Sequence, residues 1–242
     1  MLAVGTTDIG RVRSQNQDVI FYSAEPMGAL PNLFIVADGM GGHSGGEIAS
    51  REATAHFTHQ IKIAEPTSDL MDVMITAAHA ANKVVYQHAQ DDPALQGMGT
   101  TFTACTIYER KIEIVHVGDT RIYAIVPGFI KQLTTDHTYV GEMIKSGEIK
   151  EDQAREHPQS HVLTRVLGFD PHLEADGYAY DLADATHILL CSDGLTNMID
   201  NEKIKRIATG LGTVSKRTRA LVDEANRNGG NDNISAILVD LQ

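Results

Sequence analysis

The chain has 242 residues, 42% hydrophobic and 21% charged, with a formal net charge of −12. That length allows one large or two small domains, and a single domain over residues 1–242 is expected. The acidity argues against a general nucleic-acid surface, which needs clustered Lys and Arg, but leaves room for an anionic substrate met through bound cations. There is no run of roughly eighteen uncharged apolar residues and no hydrophobic signal core, so neither membrane span nor export is expected, and the expected compartment is the cytoplasm. Cys105 and Cys191 lie inside apolar runs and should be small buried hydrophobes, not a disulfide.

In chain order, β-rich runs occur at 2–7, 19–23 and 33–37. A helix over 46–63 follows from Ala49, Ala53, Phe57 and Ile61 at four-residue intervals. A clearer one covers 68 to about 90, where Leu70, Val73, Met74, Ala77, Ala78, Ala81, Val84 and Val85 mark one face. Strands at 100–108, 112–117 and 122–126 have connections too short for parallel crossovers, so neighbours should pair antiparallel. The segment 136–171 breaks this regularity. It is rich in His and charge, with short helical pieces predicted at 139–145 and 151–156, and it reads as a flap beside a site. A strand at 187–191, helices at 201–208 and 214–226, and a strand at 234–240 complete the chain. This order favours α+β layers over a doubly wound parallel sheet.

Four aspartates stand where an apolar run meets a glycine or another small, turn-forming residue: Asp38 in LFIVADGMGG, Asp119 in IVHVGDTR, Asp193 in HILLCSDG and Asp232 in GGNDNISAILV. A carboxylate at the mouth of a buried strand must find a cation or donors, and four in the same setting read as one metal site. Hard oxygen ligands without a Cys or His set point to Mg²⁺ or Mn²⁺. His56 and His59 are three apart on a helix but lack a third ligand, and are expected at the surface or its boundary. The glycines after Asp38 let the backbone turn sharply and offer a carbonyl such as that of Gly39 to a cation. They do not form GxGxxG, and no GxxxxGK[ST] exists, which disfavours Rossmann or P-loop nucleotide binding. Gly229 and Gly230 should end a helix and deliver Asp232, with Asn233 bracing the turn. Ser192 lacks a histidine partner and a GxSxG elbow, so it reads as a turn residue and not a nucleophile.

RxxNQD (Arg13 to Asp18), VADGMGGHSGGE (Val36 to Glu47), MGTT (Met98 to Thr101), HVGDTRIY (His116 to Tyr123), DHT (Asp136 to Thr138), LTRVLG (Leu163 to Gly168), CSDGL (Cys191 to Leu195) and GGNDN (Gly229 to Asn233) follow one another. In this order the chain resembles the metal-dependent protein phosphatases of the PP2C (PPM) type, specifically the short bacterial single-domain kind. The resemblance implies a four-layer α/β/β/α sandwich, two central antiparallel sheets flanked by helix pairs, with metals at one end of the sheets. By position it implies that Asp38 is shared by two core ions and that the Gly39 carbonyl lies on the first. Asp193 and Asp232 would serve the second, and Asp119 with Asp193 a third, weaker ion. Asp18 would act through water and Arg13 would grip the substrate phosphate, for which a fork of donors is geometrically suited.

Two positions depart from animal members: Gln17 stands in place of a glutamate, and Met40 in place of a histidine proposed as general acid. Protonation of the leaving alkoxide must then come from metal-bound water or another group, for which His43 and His161 are candidates. The implied reaction is hydrolysis of phosphoserine and phosphothreonine in proteins by a water bridging two ions, opposite a bacterial Ser/Thr kinase and its substrates. The expected enzyme is a monomer with no nucleic-acid or membrane partner. Competing readings are a silent phosphoprotein-binding module and a metal-dependent nuclease or small-molecule phosphohydrolase.

Overall fold

Alternation along β3 (Leu33–Met40) sorts the molecule into layers: Leu33, Ile35 and Ala37 enter one apolar cluster, Phe34 and Val36 another. The two-residue side-chain period of a strand requires this division. The computed structural model describes residues 1–41, 45–65, 67, 69–150, 153 and 157–242. The first cluster is covered by α1 (Gly45–Ile63) and α2 (Leu70–Asp91), through Ala49, Ala53, Phe57, Ile61, Met74, Ala78 and Val85 among others. These are the positions the helical spacing selects. Asp69 caps α2 by accepting from the Asp72 N–H at 3.0 Å.

The second cluster lies between two sheets. One sheet runs in the order β1 (Leu2–Asp8), β11 (Ile234–Asp240), β10 (His187–Cys191), β7 (Arg121–Val126) and β8 (Phe129–Gln132). The other runs β2 (Asp18–Ser23), β3, β5 (Phe102–Tyr108), β6 (Lys111–Val117) and β9 (Asp176–Asp181), with β4 (Gly99–Thr100) paired to the end of β3. All these pairings are antiparallel. The third cluster packs the first sheet, through Leu189, Cys191, Ala236 and Leu238, against Ile204, Leu221 and Val222. The last three belong to the helices Asn201–Ala208 and Val214–Arg227. Helix, sheet, sheet and helix layers follow in that order, the expected α/β/β/α sandwich.

One expected pairing is corrected. β6 and β7 do not form a hairpin: β6 pairs with β5 and β9, while β7 pairs with β10 and β8 in the opposite sheet. Gly118, at φ +103°, turns the chain from one sheet to the other. The predicted 100–108 strand is also broken, at Thr101. The short helices are α3 (Tyr139–Ser146), capped by Thr138, and α4 (Asp193–Thr196); the two covering the third cluster are α5 (Asn201–Ala208) and α6 (Val214–Arg227). The helix predicted at 151–156 lies outside the described residues apart from residue 153. Both cysteines are free and buried. Among the described residues no helix is long and apolar enough to cross a membrane.

Candidate active site

At one end the layer between the sheets stops being apolar. Asp38 continues the face of β3 that carries Phe34 and Val36, and its register partner on β2 is Asp18. Like charges directly opposite one another on an antiparallel pair repel, so this register is costly unless something positive arrives. The Asp38 backbone is fixed from β4 and beyond: its N–H donates to Thr101 Oγ1 at 3.0 Å. Its carbonyl accepts from the Thr101 N–H and the Thr100 hydroxyl, each at 2.9 Å. A Cβ on Gly39 would collide with the Gly46 carbonyl oxygen, so glycine here lets α1 begin against the end of β3.

The other sheet brings the remaining carboxylates. Asp193 opens α4 directly after β10, Asp119 lies in the Gly118 corner ahead of β7, and Asp232 precedes β11. Ser192 binds the two sheets together, donating from Oγ to Asp18 Oδ2 at 2.7 Å and accepting the Ser235 N–H at 3.0 Å. Fully buried and so engaged, it is structural, as its sequence setting indicates. Asn233 braces three segments. Its Nδ2 donates to the carbonyls of Ile9 and Gln15, both at 2.9 Å, and its Oδ1 accepts the Gln17 N–H at 2.8 Å.

The electrostatics show the convergence. Burial pushes the Asp38 carboxyl well above its ordinary value, and Asp18, Asp193, Asp119 and Asp232 add to the shift. Burial likewise raises Asp18 to about 7 against hydrogen bonds from Ser235 and Ser192. Asp119 is raised by burial and then by Asp193 and Asp136, and Asp193 by burial and then by Asp232. Among the described residues, Asp18 Oδ1 and Asp193 Oδ1 are buried with no hydrogen-bond partner. Crowded carboxylates with orphaned oxygens are the donor set that hard divalent cations take. Among the described residues no three His, Cys, Asp or Glu side chains close around one point. Asp232 is engaged by Arg13, whose Nη2 donates to Asp232 Oδ2 at 2.7 Å.

Beside these groups is a cleft of about 500 Å³ with Asp119 and Asp193 on one side and Val140, Gly141 and Ile144 of α3 on the other. Asp136, Thr138 and Ser160 line it as well, so part of the 136–171 segment borders Asp119 and Asp193. His161 lines the same cleft, whereas His43 lies outside the described residues. His56 and His59 sit on α1, half-buried and exposed.

The family profile described as Protein phosphatase 2C matches residues 5–238. The chain belongs to the protein phosphatase 2C family. This PP2C chain is 34% identical over 239 residues to the serine/threonine phosphatase Stp of Listeria innocua, covering 97% of the chain and 93% of that relative. Its structure is similar to that of serine/threonine phosphatase Stp1 from Staphylococcus aureus, with a TM-score of 0.93 and 30% identity over 99% of this chain and 94% of that one. It is also similar to the catalytic domain of the serine/threonine protein phosphatase PstP in complex with two manganese ions, with a TM-score of 0.84 and 32% identity over 99% and 97% of the two chains. The family and enzyme class expected from the sequence, a protein-serine/threonine phosphatase, are borne out.

Sequence patterns do not single out the PP2C chain's second charged cluster. Asp136 accepts from Arg121 Nε at 3.0 Å and Nη2 at 2.5 Å, and from Gln132 at 2.8 Å. Asp176 accepts from Arg165, Tyr178 and His137 at 2.7, 2.8 and 3.2 Å. His137 in turn accepts the Gly118 N–H at 3.1 Å, bracing the corner before Asp119. Asp136 and His137 stand in the DHT motif, a signal that marked the place without indicating these partners.

Proposed function

We propose that this phosphatase hydrolyses phosphoserine and phosphothreonine esters in proteins, with Asp38, Asp193 and Asp232 holding two core Mn²⁺ or Mg²⁺ ions. The Gly39 carbonyl and Asp18, acting through water, complete that set, and Asp119 with Asp193 serves a third, weaker ion. The observation that carries this reading is the Asp18–Asp38 register pair facing Asp193, with two buried carboxylate oxygens left unpartnered. The two manganese ions in the complex of the similar PstP catalytic domain support the two-ion part of this reading.

Bound there, a pair of divalent ions supplies an acidified water nucleophile and positive charge for the phosphoryl oxygens. The chain's own residues do the rest. Asn233 and Ser192 tie the two sheets together beside these carboxylates. Arg13, half exposed and already aimed at Asp232, is placed to leave that carboxylate and pair with a substrate phosphate. Met40 cannot donate a proton to the departing alkoxide. His161, on the wall of the cleft, is the candidate donor among the described residues. The biological setting proposed is the cytoplasm, with a monomer reversing a bacterial Ser/Thr kinase.

Purified protein given Mn²⁺ and a phosphothreonine peptide should release inorganic phosphate, and chelation should stop it. Release from nucleotides but not from phosphopeptides would replace the protein-phosphatase reading with a small-molecule one.

A further inference from the structure

We propose that the groove between Met40 and residues 163–174 is a substrate subsite for a large apolar side chain about two residues from the phosphorylated one. The inference rests on the phosphatase reading above and names a feature of its substrates. The groove has a volume of about 620 Å³ and its apolar walls are Met40, Leu163, Val166, Phe169 and Leu173.

Position comes first. Met40 ends β3 two residues beyond Asp38, so both side chains lie on the same face of the strand. Two residues of extended chain span roughly 6.5–7 Å. An extended substrate with its phosphate at Asp38 therefore brings a residue about two positions away to Met40. Gly99 pairs with Met40, and a Cβ there would collide with Val166 Cγ1. Glycine thus lets Val166 settle onto the strand and form the floor of the groove.

Chemistry and charge then select the occupant. Met40 is 37% exposed and Phe169 62% exposed, unpaired apolar surface beside a site that must accept polypeptide. The unbranched thioether of methionine fits itself to varied apolar partners. The polar lining is Thr164, Asp170, His172 and Glu174, and the one arginine, Arg165, is matched by Asp176 at 2.7 Å and Glu174 at 3.5 Å. Such a lining repels an acidic side chain and leaves an apolar one unopposed.

The test uses Mn²⁺-loaded enzyme and phosphothreonine peptides identical except for Phe, Ala or Glu placed two residues before or two residues after the phosphorylated position. In one of the two series, Phe should raise kcat/KM about tenfold over Ala, and Glu should lower it. Phe169→Ser, a change at an exposed side chain, should reduce the Phe advantage to about twofold or less. The same variant should turn over p-nitrophenyl phosphate, which is too small to reach the groove, at the wild-type rate. Equal kcat/KM for all three peptides in both series would overturn the subsite while leaving the phosphatase reading intact, and so would a Phe advantage that survives in Phe169→Ser. No turnover of either p-nitrophenyl phosphate or the peptides by the wild type would overturn the phosphatase reading and the subsite with it.

Discussion

The Gly118 corner separates two clusters of charged side chains that solve opposite problems. On one side Asp176 is surrounded by donors. Partial burial raises its carboxyl, but hydrogen bonds from Tyr178, His137 and Arg165 outweigh that and hold it at about 2. On the other side Asp18, Asp38, Asp119 and Asp193 face one another with too few donors, and burial raises all four. The first cluster is complete within the chain. The second is an excess of negative charge that a structural role would not require, and an unmatched set of this kind marks where something from outside belongs.

The largest effect should come from removing a member of the unmatched cluster. Asp38→Ala or Asp193→Ala should lower Mn²⁺-dependent turnover of p-nitrophenyl phosphate by at least about 10²–10³-fold, the loss typical of one group that stabilises transition-state charge. The circular dichroism spectrum should stay that of the wild type, and undiminished turnover would refute the metal roles. Asp176→Asn should behave in the opposite way. Chemical denaturation should show a loss of about 1–2 kcal/mol, the lower part of the range for charged hydrogen bonds because this carboxylate is partly exposed. Its turnover should stay within a few-fold of wild type, and a collapse of turnover instead would erase the distinction between the clusters.

Arg13 pairs with Asp232, next to the unmatched carboxylates. For Arg13→Ala we expect KM for a phosphopeptide to rise roughly tenfold with a smaller change in kcat; steady-state kinetics showing an unaltered KM would remove Arg13 from the phosphate site. The smallest effect is a pH dependence of the metal-free protein. In the folded chain Asp18 keeps its proton up to about 7 instead of the ordinary 3.8. Between those values folding takes up a proton, so stability should fall as pH rises through that window. Asp176 has the reverse sign: its stabilisation is present above 3.8 and is lost as pH falls towards about 2. Melting curves in chelator from about pH 4.5 to 7 should therefore be flatter for Asp18→Asn than for wild type, and parallel curves would contradict the assignment.

The aspartates were legible because each borders an apolar run, a pattern local enough to see in one segment. The interior strands were legible for the same reason: β10 is buried at all five residues, HILLC. β8 and β9 escaped because they lie at sheet edges, where FIKQ and DGYAYD alternate between partial burial and exposure without an apolar run. The sheet change after β6 escaped because loop length alone cannot distinguish a hairpin from a corner; the positive φ of Gly118 decides it. Contacts such as Arg165 with Asp176, or His137 with Gly118, depend on which distant segments pack together, and no spacing along the chain encodes them.

β1 pairs with β11, and Asn233 ties the residues around Gln17 to the start of that last strand. The alignment of Asp18 and Asp38 with Asp193 and Asp232 therefore depends in part on β11. A chain cut short of that strand would lose the β1–β11 pairing and should fail to assemble the carboxylate cluster.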